Sequence, residues 1–237
     1  MKYLPLLLLT GCGGTQQVDV VPATVSPEAV VAAQAPTMAG LWTDSAGDTL
    51  LIASNGDFTL TSPQATYTDV EVGVISDDGS QVQGSYNQGS ETATGCAGVS
   101  ICYASQGTLT GTLGQTLTIG SSTFTLQNPS GSSLAAVAGN WQLPAGAISD
   151  TSTAVLNISS SGVLYEQDQN GCVINGTVSL VDATSPAYAV TWTFGPGCAP
   201  DWANATATGL AALTSAGLQI TVSISTGFIA LYAESPT

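Results

Sequence analysis

The sequence predicts an all-β protein: two tandem antiparallel β units, small barrels or sandwiches, following a lipoprotein signal and a flexible tether. Three observations carry that prediction. A motif near Ala39 returns near Ala138. Apolar and polar residues alternate with a period of two through most of the chain beyond residue 38, the pattern of a half-buried strand. The last two cysteines flank two alternating runs that match as a hairpin.

The chain begins MKYLPLLLLTGCGG. Lys2 precedes an apolar block from Tyr3 to Leu9, and Leu9-Thr10-Gly11 forms a small-residue cleavage site directly before Cys12. The block is far shorter than the roughly 20 residues a transmembrane helix needs, so it reads as a segment that presents Cys12 for cleavage and acylation. This arrangement resembles the lipobox of bacterial lipoproteins. The resemblance implies that residues 1–11 are a signal peptide and that Cys12 is the lipid attachment site. Palmitate-type acyl chains, worth about 0.8 kcal/mol per buried CH₂, would then hold the protein on a membrane. By the same resemblance, to lipoproteins of Gram-negative bacteria, Gly13 implies sorting to the outer membrane.

Residues 12–37 read as a lipid-anchored tether. Their three prolines, absence of aromatics and lack of a clean period argue against a packed element, and such a length of flexible chain spans roughly 25–30 Å. A short helix starting at Pro27-Glu28 is the rival reading.

The repeat then organises the rest. AGLWTDSAGDTLLIASNGDFTL from Ala39 corresponds to AGNWQLPAGAISDTSTAVLNISSSGVLYEQ from Ala138, and TLTIGSSTFTL near Leu126 corresponds to LQITVSISTGFIALY near Tyr232. The units are placed at 38–132 and 133–237, joined by the Ser/Gly-rich QNPSGSSLAAV. In the first, Val70, Val72 and Val74 alternate before SDDGS turns the chain into Val82, Gly84 and Tyr86, with a type I′ turn expected at Asp77-Asp78. In the second, Leu218, Ile220, Val222 and Ile224 alternate. ATGLAALTSAG is the one stretch that reads as a short helical turn.

Four cysteines remain after Cys12, an even number that favours disulfides in an exported chain. A hairpin centred on Ser185 sets Cys172 against Cys198, Gly176 against Phe194, Val178 against Trp192 and Leu180 against Val190. One face then collects the apolar side chains, as a buried sheet face requires, with Gly176 leaving room beneath an aromatic ring. Cys96 and Cys102 pair by elimination. The spacings match no zinc pattern, and no metal is expected.

The charge balance removes whole classes of function. Lys2 is the only Lys or Arg and there is no His, so a chain cleaved before Cys12 carries sixteen carboxylate side chains and no cationic one. Such a surface repels nucleic acid and cannot neutralise phosphates. Without His or Lys there is no Ser-His-Asp triad, Cys-His pair or Schiff base, which leaves carboxylate chemistry alone. Only 7% of residues are charged and 43% are hydrophobic, so the chain can bury a core beneath a surface of hydroxyls and amides.

Gly40-Leu41-Trp42 and Gly139-Asn140-Trp141 resemble the first strand of lipocalin or avidin-type barrels. The resemblance covers the head of each unit and implies a barrel with a Trp plugging one end.

Candidate chemistry is sparse. Asp44, Asp48 and Asp57 offer oxygen ligands to Ca²⁺, but Asp and Asn beside Gly are what turns select, and that reading is preferred. Glu166 to Gly171, EQDQNG, starts like an EF-hand loop but lacks its final Glu, so a tight Asn-Gly turn is expected. A glycosidase would need two carboxylates in a cleft, one with a raised pKa. Trp202, expected to be exposed beside the disulfide loop, is a candidate ligand contact, with a core-capping role as the rival. The functional expectation is a lipid-anchored binding, adhesion or envelope-structural module with no cofactor and no catalysis. It would engage the membrane through its lipid, and an unknown protein or glycan partner. A small-ligand calyx and a carboxylate-based glycoside hydrolase are the alternatives.

Overall fold

The computed structural model describes residues 38–63, 68–90, 101–127, 132–143, 154–215, 217–225 and 227–234. Among them the alternating runs form sixteen strands and one short helix. The first eight strands are β1 (Gly40–Thr43), β2 (Thr49–Ile52), β3 (Asp57–Pro63), β4 (Thr68–Asp77), β5 (Gln81–Ser90), β6 (Ile101–Leu113), β7 (Thr116–Ile119) and β8 (Ser122–Leu126). Each pairs antiparallel with its sequence neighbour, and β8 returns to β1 through Trp42↔Leu126 and Thr43↔Thr125. This closes an up-and-down barrel with no free edge.

Helix α1 (Leu134–Val137) leads into β9 (Gly139–Gln142), β10 (Val155–Ile158), β11 (Val163–Gln167), β12 (Val173–Leu180), β13 (Ala187–Phe194), β14 (Thr206–Thr214), β15 (Gly217–Ile224) and β16 (Gly227–Ala233). These also run antiparallel in sequence order, but as a half-barrel whose first and last strands meet at the single bridge Gln142↔Glu234. β16 reaches across to β6 through Gly227↔Cys102 and Phe228↔Ile101, making the two sheets continuous. The fold class expected from sequence is therefore what forms. The boundary expected near Ser133 falls at the N-cap of α1, where the Ser133 hydroxyl accepts from the Ala136 amide, a short helix that the linker's composition did not suggest.

Alternation dictates what each barrel holds. In the first, Trp42, Leu50, Ile52, Phe58, Leu117 and Phe124 form a filled apolar interior. The second encloses Trp141, Leu156, Ile174, Tyr188, Trp192 and Phe194 among others. β15 is buried on both faces over Gly217–Val222, because its outer side lies against the first barrel. There Leu41, Leu51 and Ala53 meet Ala187, Leu210 and Ala212, Val70 meets Phe228, and Gln219 Nε2 donates to Thr61 Oγ1 at 3.0 Å.

Three local expectations are corrected. The β12–β13 hairpin pairs Gly176 with Trp192, Val178 with Val190 and Leu180 with Tyr188, a register two residues from the one that places Gly176 opposite Phe194. A shift of two preserves the faces, so Ile174, Val178, Tyr188, Val190, Trp192 and Phe194 are still buried, whereas Leu180 is exposed. The absent Cβ of Gly176 would sit 2.0 Å from the Thr191 carbonyl oxygen, so the glycine makes room for backbone more than for a ring. Second, Asp77-Asp78 does not make a type I′ turn, and the tight turn expected at Asn170-Gly171 forms with its glycine alone in the left-handed region. Among the described residues only Asn204 is a non-glycine with positive φ, and the left-handed positions of these two turns are Gly79 and Gly171 alone. Third, ATGLAALTSAG does not turn helically: its first eight residues, Ala207 to Thr214, lie in β14, paired on both sides.

Candidate functional site

Two arrangements could carry function, one outside the first barrel and one inside the second. The outer one grows from the pairing of β4, β5 and β6. Their outward side chains line up in three rungs: Val72–Asn87–Gln106, Val74–Ser85–Thr108 and Ser76–Gln83–Thr110. Short side chains on these rungs leave shallow depressions. One of about 530 Å³ lies over Asn55, Val74, Ser85 and Thr108. A second, of about 400 Å³, lies over Val72, Asn87 and Gln106. A third, of about 330 Å³, opens where Asn55, Asp57 and Thr59 face Thr191, Thr208 and Ser223 of the second sheet. The depressions adjoin in pairs, the first and second through Val74 and Ser85, the second and third through Val72 and Gly73, and the first and third through Asn55, so together they make one trough. Hydroxyls and amides stand along it beside Val72, Val74, Val181 and Leu210, and more of its lining is apolar than polar. Asp57 is its one acid over this length, and Asn55 Nδ2 holds that carboxylate at 2.8 Å.

The inner arrangement sits on β11. Leu164, Glu166 and Asp168 share a face by the period of two, and that face points into the second barrel. Glu166 is fully buried and Asp168 nearly so. Asp168 Oδ1 accepts from the amides of Asn170 and Cys172, each at 2.8 Å. Both Glu166 oxygens and Asp168 Oδ2 have no hydrogen-bond partner among the described residues, and neither has the indole nitrogen of Trp192. Burial first, and the charge of Asp168 second, push the Glu166 carboxyl up to about 7. A neutral acid is the cheaper form in such a place. The pair satisfies the pKa half of the glycosidase criterion, but both carboxyls are enclosed and do not line the trough.

The sequence-predicted residues fall out as follows. Cys12 and Cys96 lie outside the described residues, as does the side chain of Cys102, so the lipid attachment and the Cys96–Cys102 pairing are not described. Cys172 and Cys198 are joined by a disulfide. Trp202 is not an exposed contact. It is 2% exposed, with its ring 4.9 Å from that of Phe194, because the turn following Ala199 folds it back over the core. Asp44 and Asp57 serve turns: Asp44 Oδ1 accepts from the amides of Ala46 and Asp48 between β1 and β2, while Asp57 closes the β2–β3 turn, its amide donating to Asn55 Oδ1. Asp48 and Glu71 do approach each other at one barrel mouth. Both carboxyls are raised, by burial first and then by neighbouring carboxylates, Asp44 and Asp69 for Asp48, Asp48 and Asp69 for Glu71. Among the described residues no group of three or more His, Cys, Asp or Glu is arranged to hold a metal.

Glu166, Asp168 and Asp57 stood out in the sequence only as loop or turn residues, not as members of these two arrangements. The trough depends on which strands become neighbours, for which no local signal exists. Glu166 did carry a signal, its parity with Leu164, which places it on the apolar side of β11. Compared with known proteins, the chain matches no family model, no curated protein and no solved structure.

Proposed function

We propose that the protein is a lipid-anchored, exported β protein of the cell envelope, held on the outer membrane through Cys12 and acting as a binding, adhesion or envelope-structural module without catalysis. The observation that carries this reading is the sequence Leu9-Thr10-Gly11-Cys12 placed before a chain that has no Lys, Arg or His. Loss of the signal removes the last cationic side chain, and with it the ordinary means of phosphate binding and of nucleophile activation. Two features of the fold support a binding role on outer surfaces. Large side chains fill the interior of the first barrel, which disfavours a ligand calyx there. The β architecture also offers a broad, uncharged outer face across β4–β6.

The test is intact mass on protein extracted with detergent from its native envelope. The expected mass is that of residues 12–237 plus acyl chains, less four hydrogens for two disulfides. Cys12→Ala should move the protein from the membrane to the soluble fraction. An unacylated mass, or a Cys12→Ala protein that still sediments with membranes, overturns the anchor.

A further inference from the structure

We infer that the trough across β4–β6 and the cleft beside it binds a neutral, linear oligosaccharide. The inference deepens the binding role proposed above and gives it a site and a ligand class.

Charge decides first. Residues 38–237 contain no Lys, Arg or His, so an anionic polymer has nothing to pair with. A cationic partner would be drawn to the carboxylates gathered elsewhere, at the mouth bearing Asp48, Asp69 and Glu71 or at the Asp77-Asp78 turn. The trough itself holds Asp57, already tied to Asn55. A wholly apolar partner is less well served than an amphiphilic one: Val72 and Val74, the latter 54% exposed, line the rungs, but Ser85, Asn87, Gln106 and Thr108 stand beside them with polar groups to satisfy.

The remaining chemistry is neutral and densely hydroxylated. Hydroxyls and side-chain amides both donate and accept, which matches the closely spaced hydroxyls of a sugar, and Val74 offers an apolar spot for a ring's C–H face. Ser85, Asn87, Gln106 and Thr108 line the depressions, and Ser85, Gln106 and Thr108 are exposed, so their hydroxyls and amides are within reach of a ligand. The shape selects a chain over a single sugar, because the rungs cross three strands spaced about 4.8 Å apart and continue into the cleft toward Thr191 and Thr208.

The experiment uses full-length protein in detergent. It is screened against an array of uncharged glycans and then titrated calorimetrically with cellohexaose, maltohexaose and N-acetylated chitohexaose. At least one of the three hexasaccharides is expected to bind. Asn87→Ala with Gln106→Ala should weaken that binding ten-fold or more, and Thr108→Trp, which fills the trough, should abolish it. Asn140→Ala, on a different sheet, should leave it unchanged. Circular dichroism and the melting temperature of each variant establish that it is folded. Failure of all three hexasaccharides, or binding that survives Thr108→Trp in a folded protein, overturns the inference. Either failure leaves the anchor untouched, because the acyl mass is read from the same extract. A missing acyl group would sink the anchor while the titration still decides the trough.

Discussion

Trp42 and Trp141 make the same hydrogen bond: each indole N–H donates to the carbonyl oxygen four residues before it, that of Met38 at 2.9 Å and of Val137 at 2.8 Å. Both rings are buried, and each ties the segment entering the barrel to its first strand. The repeat is thus a repeated packing device and not only a repeated string. Trp→Phe at either position keeps most of the apolar area but loses the hydrogen bond and should cost about 1 kcal/mol. Trp→Ala adds a cavity and should cost about 3–5 kcal/mol. Urea denaturation of the four variants measures both. A Trp→Ala variant of either residue with wild-type stability would contradict the shared role.

Gly56 and Gly162 repeat one another in the same way. Each occupies the left-handed region, at φ 88° and 81°, and each carbonyl accepts the amide of the strand beyond, Ile75 at 2.8 Å and Val178 at 2.7 Å. A Cβ would fall 2.5 Å from the Ile75 carbonyl oxygen in one and 2.1 Å from that of Val178 in the other. Gly171 has a similar φ but nothing within 4 Å of its Cβ position. Gly171→Ala should therefore cost only the backbone strain, about 1–2 kcal/mol, and Gly162→Ala clearly more. Equal losses in denaturant midpoint would show that the close carbonyl does not matter.

How much of this was legible in the sequence follows from what a period of two can encode. Parity assigns faces, so the buried sides of β12 and β13 could be read from Ile174, Val178, Val190 and Trp192. Parity cannot distinguish registers two residues apart, and the register was set by the turn. There the Asp182 carboxylate accepts from the Thr184 amide and hydroxyl and from the Ser185 amide. Bonds from the Ser54 hydroxyl first and from Thr184 next hold that carboxyl down to about 2. Trp202 was misplaced for a related reason: its burial depends on a turn in which Asn204 takes a positive φ of 63°, and nothing local distinguishes an inward from an outward Trp. The trough lies further still from the sequence, since β4, β5 and β6 supply its rungs while Thr191 and Thr208 come from the other sheet.

The Cys172–Cys198 disulfide closes a loop across a separation of 26 residues, and both cysteines are buried. By the loop-entropy relation such a cross-link stabilises the fold by about 3–4 kcal/mol. The double variant Cys172→Ser, Cys198→Ser should lose that amount in chemical denaturation. Mild reductant should act slowly on the folded protein and quickly once denaturant is added. Wild-type stability in the double variant would place the stabilisation of this hairpin in the Phe194–Trp202 contact.

Glu166 gives the fold a pH dependence whose sign is fixed by the direction of its shift. Its carboxyl ionises near the ordinary glutamate value of 4.5 when unfolded and at about 7 when folded, so the folded state holds the proton more tightly. Its favourable contribution is complete below about pH 4.5 and is lost as the pH rises through 7. With about 1.4 kcal/mol per pKa unit, the decline approaches about 3 kcal/mol. Glu166→Gln keeps the shape and removes the titration. Its stability should change less than that of the wild type between pH 5 and pH 8, and it should be the more stable protein at pH 8. The comparison is chemical denaturation of both proteins at the two pH values. Parallel changes would mean that Glu166 is solvated in the folded state and that its buried, unpartnered carboxyl does not govern the second barrel.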